Sequence, residues 1–502
     1  MSSALTKYAE LPEVIQRAGL EVNGLVLLSG GHIVVEWYRE PYRRGVPQLL
    51  YSLSKSVTSI AVGIACDLGL LRLDDRVISF FPNKLPLGAE LSPHLDAMKV
   101  RHLLSMTAGH EEDIYPAVVS QRDWAAAFLN QPVQRVPGTH YRYSTPSTYM
   151  LSAIVERVSR MNLVDFLMPT LFGPLGIDRP TWETCPLGAA AGGMGLSLST
   201  EDVAKFGQML LDGGVYEGQQ IVSADYIRLA TSEQSDNRKG ARPERVDSAQ
   251  GYGFQFHLCR FGAYRGDGSF GQLCLVSPKH NLVVAANCAF PSMTKLQTLL
   301  DLIFELAEEE TGHLKKTAAN PSGGNRIENG RCRRFDTVEE LGLSRSSALR
   351  SPSNSLRAAQ ATRWLFAANR EFVLDENPDG LRSIAFYSIE KDFELKIDYG
   401  EGDERSGMLP FDFTHPLESE HVFVKDLSLH RQRVVTSVEV PEETERILQM
   451  KLQYIETPYI VTYTVYAAAC GIRLSFELNV SFGFRSYEVF GRIRGKGIIN
   501  SQ

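Results

Sequence analysis

The sequence predicts an α+β domain followed by a separate antiparallel β domain, and three observations support this fold class. Strand patterns occur near both ends of the first 310 residues, with long amphipathic segments between them. The residues that follow Glu310 are polar and rich in Gly, Ser, Pro and Arg, as in a connector. From about residue 360 apolar and polar residues alternate, without helical patterns between the runs. A chain of 502 residues is also too long for one compact core.

The first domain, residues 1–312, is predicted to begin with a β-hairpin in NGLVLLSGGHIVVEWY, residues 23–38, which turns at Ser-Gly-Gly. Amphipathic segments follow to about residue 250. STYMLSAIVERVSR places its aliphatic residues on one helix face, and Ser199 or Thr200 before two acidic residues marks another helix start. Strand patterns return in GYGFQFHLC, GQLCLVSP and NLVVAANCAF, followed by a helix in TKLQTLLDLIFELAEEE. We therefore expect one sheet that joins the two ends of this domain.

A polar connector is predicted over residues 313–358 and an antiparallel β domain over residues 359–502. Two runs show the alternation most clearly: Phe393, Leu395, Ile397 and Tyr399 in one, and Ile472, Leu474, Phe476, Leu478, Val480 and Phe482 in the other. Several such runs without helices between them are typical of a barrel or a sandwich.

Composition and motifs exclude several classes of function. Acidic residues number 59 against 52 basic ones, and without a concentrated Lys/Arg patch we expect no nucleic-acid partner. The start of the chain is a poor secretion signal, and no apolar run is long enough to span a membrane. Seven scattered cysteines without a C-x-x-C pair suit free thiols in the cytoplasm. No zinc or nucleotide-phosphate motif is present, so we expect no metal and no organic cofactor. Oligomeric state is left open.

The stretch LYSLSKSVTSIAVGIACDLGLL, residues 50–71, places Ser52 and Lys55 three residues apart where a loop enters an apolar helix. Residues three apart share a helix face, so the amine could reach the hydroxyl. A serine hydroxyl is a weak nucleophile unless a neighbouring base takes its proton. Lysine can do so only when neutral, which requires a pKa lowered by burial or by a nearby cation. The alternative is a helix-capping serine followed by a surface lysine, because S-x-x-K is a common string.

The segment YSLSKSVTSIAVGIACDLGLLRLDD resembles the first motif of the serine β-lactamase and penicillin-binding-protein superfamily. It is most similar to the class C branch, which also includes esterases, amidases and D-amino-acid peptidases. KVRHLLSMTAGH, PGTHYRYSTPSTYMLSAIVERV and GMGLSLSTEDVAKFGQMLL resemble later segments of that branch in the expected order. The resemblance spans about residues 20 to 310 and implies a β-lactamase-like domain, an antiparallel sheet flanked by helices with a helical subdomain. The β domain resembles the lipocalin-like barrels appended to some members.

The resemblance also implies roles for individual residues. Ser52 would be the acylated nucleophile, Lys55 its proton partner, and Tyr143 the phenol that exchanges protons with the nucleophile or the leaving group. We prefer Tyr143 to Tyr141 because the family's helix begins shortly after its tyrosine, although a packed aromatic remains the alternative. Thr145 stands where the family often has Asn, and as a candidate substrate contact it lacks an amide's paired donor and acceptor.

The third motif departs from the family pattern. The family has Lys-Thr-Gly or His-x-Gly on a strand that lines the site, whereas AYRGDGSFGQLCLVSP places Gly266, Asp267 and Gly268 there. Arg265 could supply the missing positive charge, although neighbouring side chains on a strand point to opposite faces. The glycines would let substrate lie close to the backbone, and Ser269 would donate the second oxyanion-hole N–H beside that of the nucleophile. The alternative is a glycine-rich turn with a solvated Arg and Asp.

Three histidines are candidates for the site. His102 and His110 flank a segment that resembles scaffold, so we expect structural roles for both. His257 alternates with two phenylalanines in YGFQFHLC and could face either the site or the core.

The sequence therefore predicts a serine hydrolase that cleaves a small ester, an amide or a short D-residue peptide through an acyl-serine intermediate. The missing third-motif cation argues against efficient β-lactam breakdown. One alternative is an acyltransferase or peptide cyclase on the same scaffold. Another is a catalytically inactive binding or regulatory homologue. The missing third-motif cation is an argument for this alternative, and the presence of Ser52, Lys55 and Tyr143 is an argument against it.

Overall fold

The computed structural model describes residues 5–85, 91–239, 242–318, 370–389, 392–441, 446–468 and 470–494. The chain divides into two compact units, Met1–Cys332 and Arg333–Gln502. Most of the predicted connector lies outside the described residues, so its limits stay a prediction. The last helix of the first unit continues beyond residue 312 to Ala318.

The first unit is an α+β domain. Its described α-helices are α1 Leu5–Ala9, α2 Leu11–Arg17, α3 Ser54–Asp67, α4 Pro93–Ala97, α5 Val100–Leu104, α6 Tyr115–Val119, α7 Trp124–Leu129, α8 Thr145–Ser159, α9 Leu163–Leu167, α10 Thr200–Leu211, α11 Ala224–Ala230 and α12 Thr294–Ala318. Its described strands are β1 Val22–Ser29, β2 His32–Tyr38, β3 Gln48–Leu49, β4 Thr181–Trp182, β5 Leu196–Leu198, β6 Val215–Tyr216, β7 Gln219–Gln220, β8 His257–Leu258, β9 Tyr264–Gly268, β10 Gln272–Ser277 and β11 Leu282–Cys288.

Six of these strands form one antiparallel sheet in the order β2-β1-β11-β10-β9-β8. The predicted hairpin is confirmed as β1 and β2, and β1 pairs with β11 with Leu25 opposite Ala286. The sheet therefore joins the two ends of the domain, as predicted. The helices and loops between β2 and β8 form the helical part of the domain.

Helices cover both faces of this sheet. On one face α12 and α2 pack over alternate sheet residues in a single buried cluster that includes Leu25, Leu273 and Val284. On the other face lies α10, where a Cβ at Gly207 would meet Val283 Cγ1 at 2.5 Å. The absent side chain lets α10 lie close against the sheet. With both faces covered, β10 and β11 are buried at every position, and their apolar residues form continuous runs rather than an alternating pattern.

One strand prediction was too long. GYGFQFHLC forms a strand only at β8, because the chain turns at Gln255, whose φ is +66°. Gln255 Nε2 donates to the carbonyls of Leu103 and Leu104 at 3.1 and 2.7 Å. Hydrogen bonds between this side chain and the backbone replace the strand pairing that the alternation of aromatic residues suggested.

The second unit is a nearly closed antiparallel barrel, which confirms the predicted β domain. Its strands are β12 Glu371–Leu374, β13 Ser383–Ile389, β14 Asp392–Asp398, β15 Gly407–Phe411, β16 Leu417–Val424, β17 Leu429–Glu439, β18 Ile447–Tyr454, β19 Ile460–Ala468, β20 Gly471–Leu478 and β21 Ser486–Ile493. Their order is β15-β14-β13-β12-β21-β20-β19-β18-β17-β16. Near the two end strands, Thr436 Oγ1 of β17 donates to the Pro410 carbonyl of β15.

The barrel interior follows the predicted alternation. Phe393, Leu395 and Ile397 of β14 are all buried, and so are the alternate residues of β20. The predicted alternation fails at Phe482. This residue lies beyond the end of β20, and 70% of its surface is exposed. No helix in the described part of the chain is long and apolar enough to cross a bilayer. Six cysteines of that part are free thiols, and Cys332 lies outside it.

Candidate active site

Ser52 lies in a 3₁₀ turn, Tyr51–Leu53, that leads directly into α3. One turn later the Nζ of Lys55 lies 2.9 Å from Ser52 Oγ and donates to the Gly193 carbonyl at 2.7 Å. Only 2% of the Lys55 surface is exposed, whereas Ser52 is half-buried. The amine is therefore held against the hydroxyl by a buried backbone contact, which a surface lysine would lack.

A glycine-rich loop anchors the start of α3. Thr58 Oγ1 donates to the Gly192 carbonyl at 2.8 Å, and the Leu196 N–H donates to Ser54 Oγ at 3.2 Å. At Gly192 φ is +65°, and a Cβ there would lie 2.6 Å from Ser152 Cβ of α8. A side chain at this position would therefore separate the loop from α8.

Tyr143 stands just before α8, whose N-cap is Ser144. The Tyr143 hydroxyl is hydrogen-bonded to Ser52, and Lys55 Nζ lies 5.0 Å from its ring centroid. Although 37% of the side-chain surface is exposed, the surrounding protein raises the pKa of Tyr143. The hydrogen bond with Ser52 opposes this rise and the charge of Asp267 adds to it. The resting group is thus a protonated phenol.

Tyr141, the rejected alternative, also lines the cavity. Its ring packs against Tyr252 with centroids 5.3 Å apart, and burial raises its pKa as well. The structure brings Ser52, Lys55 and Tyr143 together, with Tyr141 beside them.

The backbone amides of Ser52 and Ser269 are the predicted oxyanion donors. Ser269 begins the 3₁₀ turn Ser269–Gly271, and the first N–H groups of such a turn have no partner within it. Ser52 and Ser269 both line the same cavity.

Two strained aromatic residues flank these amides. Tyr51 has a φ of +47° and Phe270 a φ of +63°, and their rings meet edge to face at 5.3 Å. A non-glycine residue in this region costs about 1–3 kcal/mol, which the surrounding packing must offset. The aromatic contact links the two turns that hold the amides.

The glycines of β9 serve a different purpose from the one expected. A Cβ at Gly266 would lie 2.4 Å from Ser56 Oγ, and one at Gly268 would lie 2.2 Å from the Leu50 carbonyl. Their missing side chains let β9 approach the nucleophile turn and α3. Gly268 also lines the cavity, whereas Gly266 faces α3 instead of substrate.

Arg265 does not occupy the place of the missing cation. Its side chain is 1% exposed and donates to Asp267 Oδ2 at 2.8 Å and to the Asp247 carbonyl at 2.6 Å. Strand alternation turns it away from α3, and it contacts the cavity walls at Asp267 and, through Nη2, at Ser248 Oγ. Burial would raise the pKa of Asp267, but the positive charge of Arg265 holds it below the ordinary value.

His257 faces the site and remains neutral. Burial lowers its pKa to about 4, against the opposing effect of Asp267. Its ring stacks on Tyr143 with centroids 6.3 Å apart, and its Nε2 lies 3.7 Å from Asp267 Oδ1. His102 and His110 do not line this cavity, and burial lowers the pKa of each to about 4.

Thr145 lies outside the cavity, contrary to the expected substrate contact. It is the first residue of α8, and a Cβ added at Gly193 would lie 2.8 Å from its Cγ2. It lines a separate apolar groove with Trp124, Tyr149 and Met194. The start of α8 directs Thr145 toward the glycine-rich loop while Tyr143 faces Ser52.

The cavity has a volume of about 480 Å³, and sequence reasoning missed one of its walls. That wall comes from residues 237–239 and 242–248 and contributes Asn237, Lys239, Arg242, Arg245 and Ser248. These residues are spread over an irregular stretch without a motif, so no local signal identifies them. No cluster of His, Cys, Asp and Glu that could hold a metal occurs among the residues that the structure describes.

Comparison with known proteins places these features in context. The sequence model of the β-lactamase family matches residues 15–306. The 6-aminohexanoate-dimer hydrolase of Paenarthrobacter ureafaciens is 27% identical over 307 residues, which cover 56% of this chain and 76% of that protein. Penicillin-binding protein 4* of Bacillus subtilis is 26% identical over 141 residues, 26% of this chain and 29% of that protein.

Solved structures share the fold of the first unit. EstCE1, described as a hydrolase with promiscuous acyltransferase activity, superposes with a TM-score of 0.50 at 17% identity. The match covers 60% of this chain and 100% of that chain.

Proposed function

This chain belongs to the β-lactamase family, and we propose that its first unit is a serine hydrolase that cleaves an ester or amide through an acyl-serine intermediate. The observation that carries the proposal is the contact of Lys55 Nζ with Ser52 Oγ at 2.9 Å, made by an amine that is almost completely buried. The hydroxyl of Tyr143 hydrogen-bonds the same serine. A nucleophile with two proton-transfer partners is what acyl transfer requires.

In the acylation step, neutral Lys55 accepts the Ser52 proton as Oγ attacks the substrate carbonyl carbon. A neutral amine keeps an N–H for the Gly193 carbonyl while its lone pair faces Oγ. The carbonyl oxygen becomes an oxyanion, held by the amides of Ser52 and Ser269. When the intermediate collapses, the bond to the leaving group breaks and Tyr143 donates its proton to that group. The raised pKa of Tyr143 keeps this proton available at neutral pH.

In the second step, the Tyr143 phenolate takes one proton from a water molecule while the water oxygen attacks the acyl-serine carbonyl carbon. The bond to Ser52 Oγ then breaks, the carboxylic acid leaves, and protonated Lys55 returns its proton to Oγ. Ser52 is half-buried and Tyr143 is 37% exposed, so water can reach the ester bond. This access supports hydrolysis over acyl transfer or peptide cyclisation, which need water to be excluded. The relative from Paenarthrobacter ureafaciens is likewise named a hydrolase. The intact contacts of Ser52, Lys55 and Tyr143 speak against an inactive homologue.

The first experiment treats the full-length protein with p-nitrophenyl butyrate and follows nitrophenolate release and intact mass. We expect turnover with a transient butyryl adduct, and we expect Ser52→Ala to lose both signals. Lys55→Met and Tyr143→Phe should each lower kcat/KM by about 10²- to 10⁴-fold, the usual contribution of a proton-transfer group. Ser120→Ala, an exposed serine, is the matched control and should behave as the wild type.

Two results would change this conclusion. A stable adduct on Ser52 with little turnover would indicate an acyltransferase that lacks its acceptor. No nitrophenolate release, together with no labelling of Ser52 by a fluorophosphonate, would contradict the assignment of a working nucleophile.

A further inference from the structure

We propose that the cavity binds a carboxylate of its ester or amide substrate through Lys239, Arg242 and Arg245. This inference rests on the proposed hydrolase function and adds to it the class of substrate. The three cations and Ser52 line one cavity of about 480 Å³. A small substrate can therefore contact the cations while its carbonyl lies at the nucleophile.

The three cations have no protein counterion in the described part of the chain. Within that part no carboxylate lies within 4.0 Å of any of them. Arg238 in the same segment differs, because it pairs with Glu233 and Asp236. A half-buried guanidinium such as Arg245 without a partner is electrostatically costly, and a bound anion would relieve that cost.

The cavity itself carries a positive charge. Asp267 is the one carboxylate residue on its described walls, and it is already paired with Arg265 at 2.8 Å. His257 is neutral, since burial lowers its pKa to about 4. Asp267 also attracts Arg245, but one carboxylate cannot balance Arg265 together with Lys239, Arg242 and Arg245, and the excess of positive charge favours an anionic ligand.

The segment that carries the cations is held at both ends. Near one end, Asn237 is 7% exposed, donates to the Ser248 carbonyl at 3.1 Å and accepts from the Gly251 N–H at 2.9 Å. Near the other end, Asp247 is fully buried, accepts from Arg260 and accepts from Gln297 Nε2 at 2.7 Å. Anchoring of this kind lowers the entropy cost of binding an anion.

The segment also explains how the site functions without the third-motif cation. The slot on β9 holds Gly266, Asp267 and Gly268, and Arg265 is not among the residues that line the cavity. The positive charge comes instead from a different part of the chain, on another wall of the same cavity.

The test compares three chromogenic esters on the full-length protein. 4-Nitrophenyl butyrate is neutral, mono-4-nitrophenyl adipate carries a carboxylate on the acyl side, and 4-butyryloxy-3-nitrobenzoate carries one on the leaving group. We expect at least one carboxylated ester to have a higher kcat/KM than the neutral ester. Raising the salt concentration should lower that ratio, because salt screens the exposed charges.

Substitution of the cations should change the same ratio. Lys239→Gln, Arg242→Gln and Arg245→Gln should each lower it by about 2- to 5-fold, as expected for one partly exposed ion pair. Arg228→Gln removes an equal charge that is 75% exposed and paired with Asp225, and should leave the ratio unchanged. Because each variant is compared with itself on two substrates, a loss of folded protein cancels from the ratio.

The outcomes separate the two proposals. If the wild type hydrolyses the neutral ester but prefers neither carboxylated ester, or if the three substitutions leave the ratio unchanged, the carboxylate site is wrong and the hydrolase remains. If none of the three esters is hydrolysed and a fluorophosphonate does not label Ser52, the proposed function fails and this inference fails with it.

Discussion

Tyr143, His257 and Asp267 line one cavity, yet different causes fix the protonation state of each. Burial keeps the phenol protonated and the imidazole neutral, since it disfavours the charged form of both. Burial would also protonate Asp267, but Arg265 outweighs that effect. All three groups therefore keep one charge state near neutral pH. In this state the phenol can donate a proton, and the carboxylate is already neutralised by its partner.

His110 shows the same effect of burial away from the cavity. It is 2% exposed, its ring meets Phe128 edge to face at 5.1 Å, and neither ring nitrogen has a hydrogen-bond partner in the described structure. Burial lowers its pKa to about 4. The folded protein thus binds fewer protons at this site than the unfolded chain, whose histidines have a pKa of about 6.5.

This depressed pKa predicts a loss of stability in acid. Between pH 6.5 and 4 the unfolded state binds more protons, so the free energy of unfolding falls as the pH falls through that window. For His110 the loss between pH 7 and 5 amounts to about 1–2 kcal/mol. His110→Leu should remove that part of the pH dependence, measured by urea unfolding at the two pH values. His32→Leu, at an exposed histidine, is the control. An equal pH dependence in His110→Leu and the wild type would contradict the prediction.

Among the secondary-structure elements, the site depends on how α3, α5 and α8 are joined. Gln255 lies between them and is 2% exposed. Its Oε1 accepts from Thr148 Oγ1 of α8 at 2.7 Å, and its carbonyl accepts from Ser56 Oγ of α3 at 2.8 Å. Its Nε2 donates to two carbonyls of α5. Gln255 thus contacts α3 through its backbone and joins α5 to α8 through its side chain.

Gln255→Leu should therefore affect both stability and catalysis. It leaves the Thr148 hydroxyl without its acceptor, at a cost of about 1–3 kcal/mol, and removes two hydrogen bonds to the Leu103 and Leu104 carbonyls, worth about 1 kcal/mol each. Both carbonyls keep a backbone donor, from Met106 and from residue 255. We expect a loss of about 3 kcal/mol in the free energy of unfolding and a drop in kcat/KM of about 10-fold, because small displacements of catalytic groups are costly. Urea unfolding and p-nitrophenyl butyrate hydrolysis measure the two effects. Gln121→Leu, at an exposed glutamine, is the matched control. A loss of less than about 1 kcal/mol would show that Gln255 does not join the helices.

At the scale of the whole molecule, each of the two units has a core of its own. The core of the first unit includes Leu25, Leu273 and Ile303, all without exposed surface. Inside the barrel, Phe386 is fully buried, and Phe393 stacks on Phe411 with centroids 5.1 Å apart. Because a buried core of this kind is the physical basis of a cooperative unit, we expect each unit to unfold in its own transition.

Matched core substitutions test this expectation. Phe386→Ala should lower the stability of the barrel alone by about 3–5 kcal/mol, and Leu273→Ala should lower that of the first unit by about 2–5 kcal/mol. Calorimetry of the full-length chain should show two transitions, each shifted by one substitution. Esterase activity should be lost with the transition that Leu273→Ala shifts. A single transition moved by both substitutions would show that the two units unfold as one.

The sequence determined what depends on neighbours along the chain. Apolar periodicity identified the hairpin of β1 and β2, helix α8 and the alternation within the barrel strands, because these patterns repeat over a few residues. The spacing of Ser52 and Lys55 was equally local, since one helical turn places both side chains on the same face.

The tertiary structure decided everything that depends on residues far apart in sequence. It placed the Tyr143 hydroxyl, rather than that of Tyr141, in a hydrogen bond with Ser52, and it buried Arg265 against Asp267. It also brought the irregular segment 237–248 to the wall of the nucleophile's cavity. The physical reason is that burial, pairing and pKa depend on which side chains meet through space, and no period or motif along the chain records those contacts.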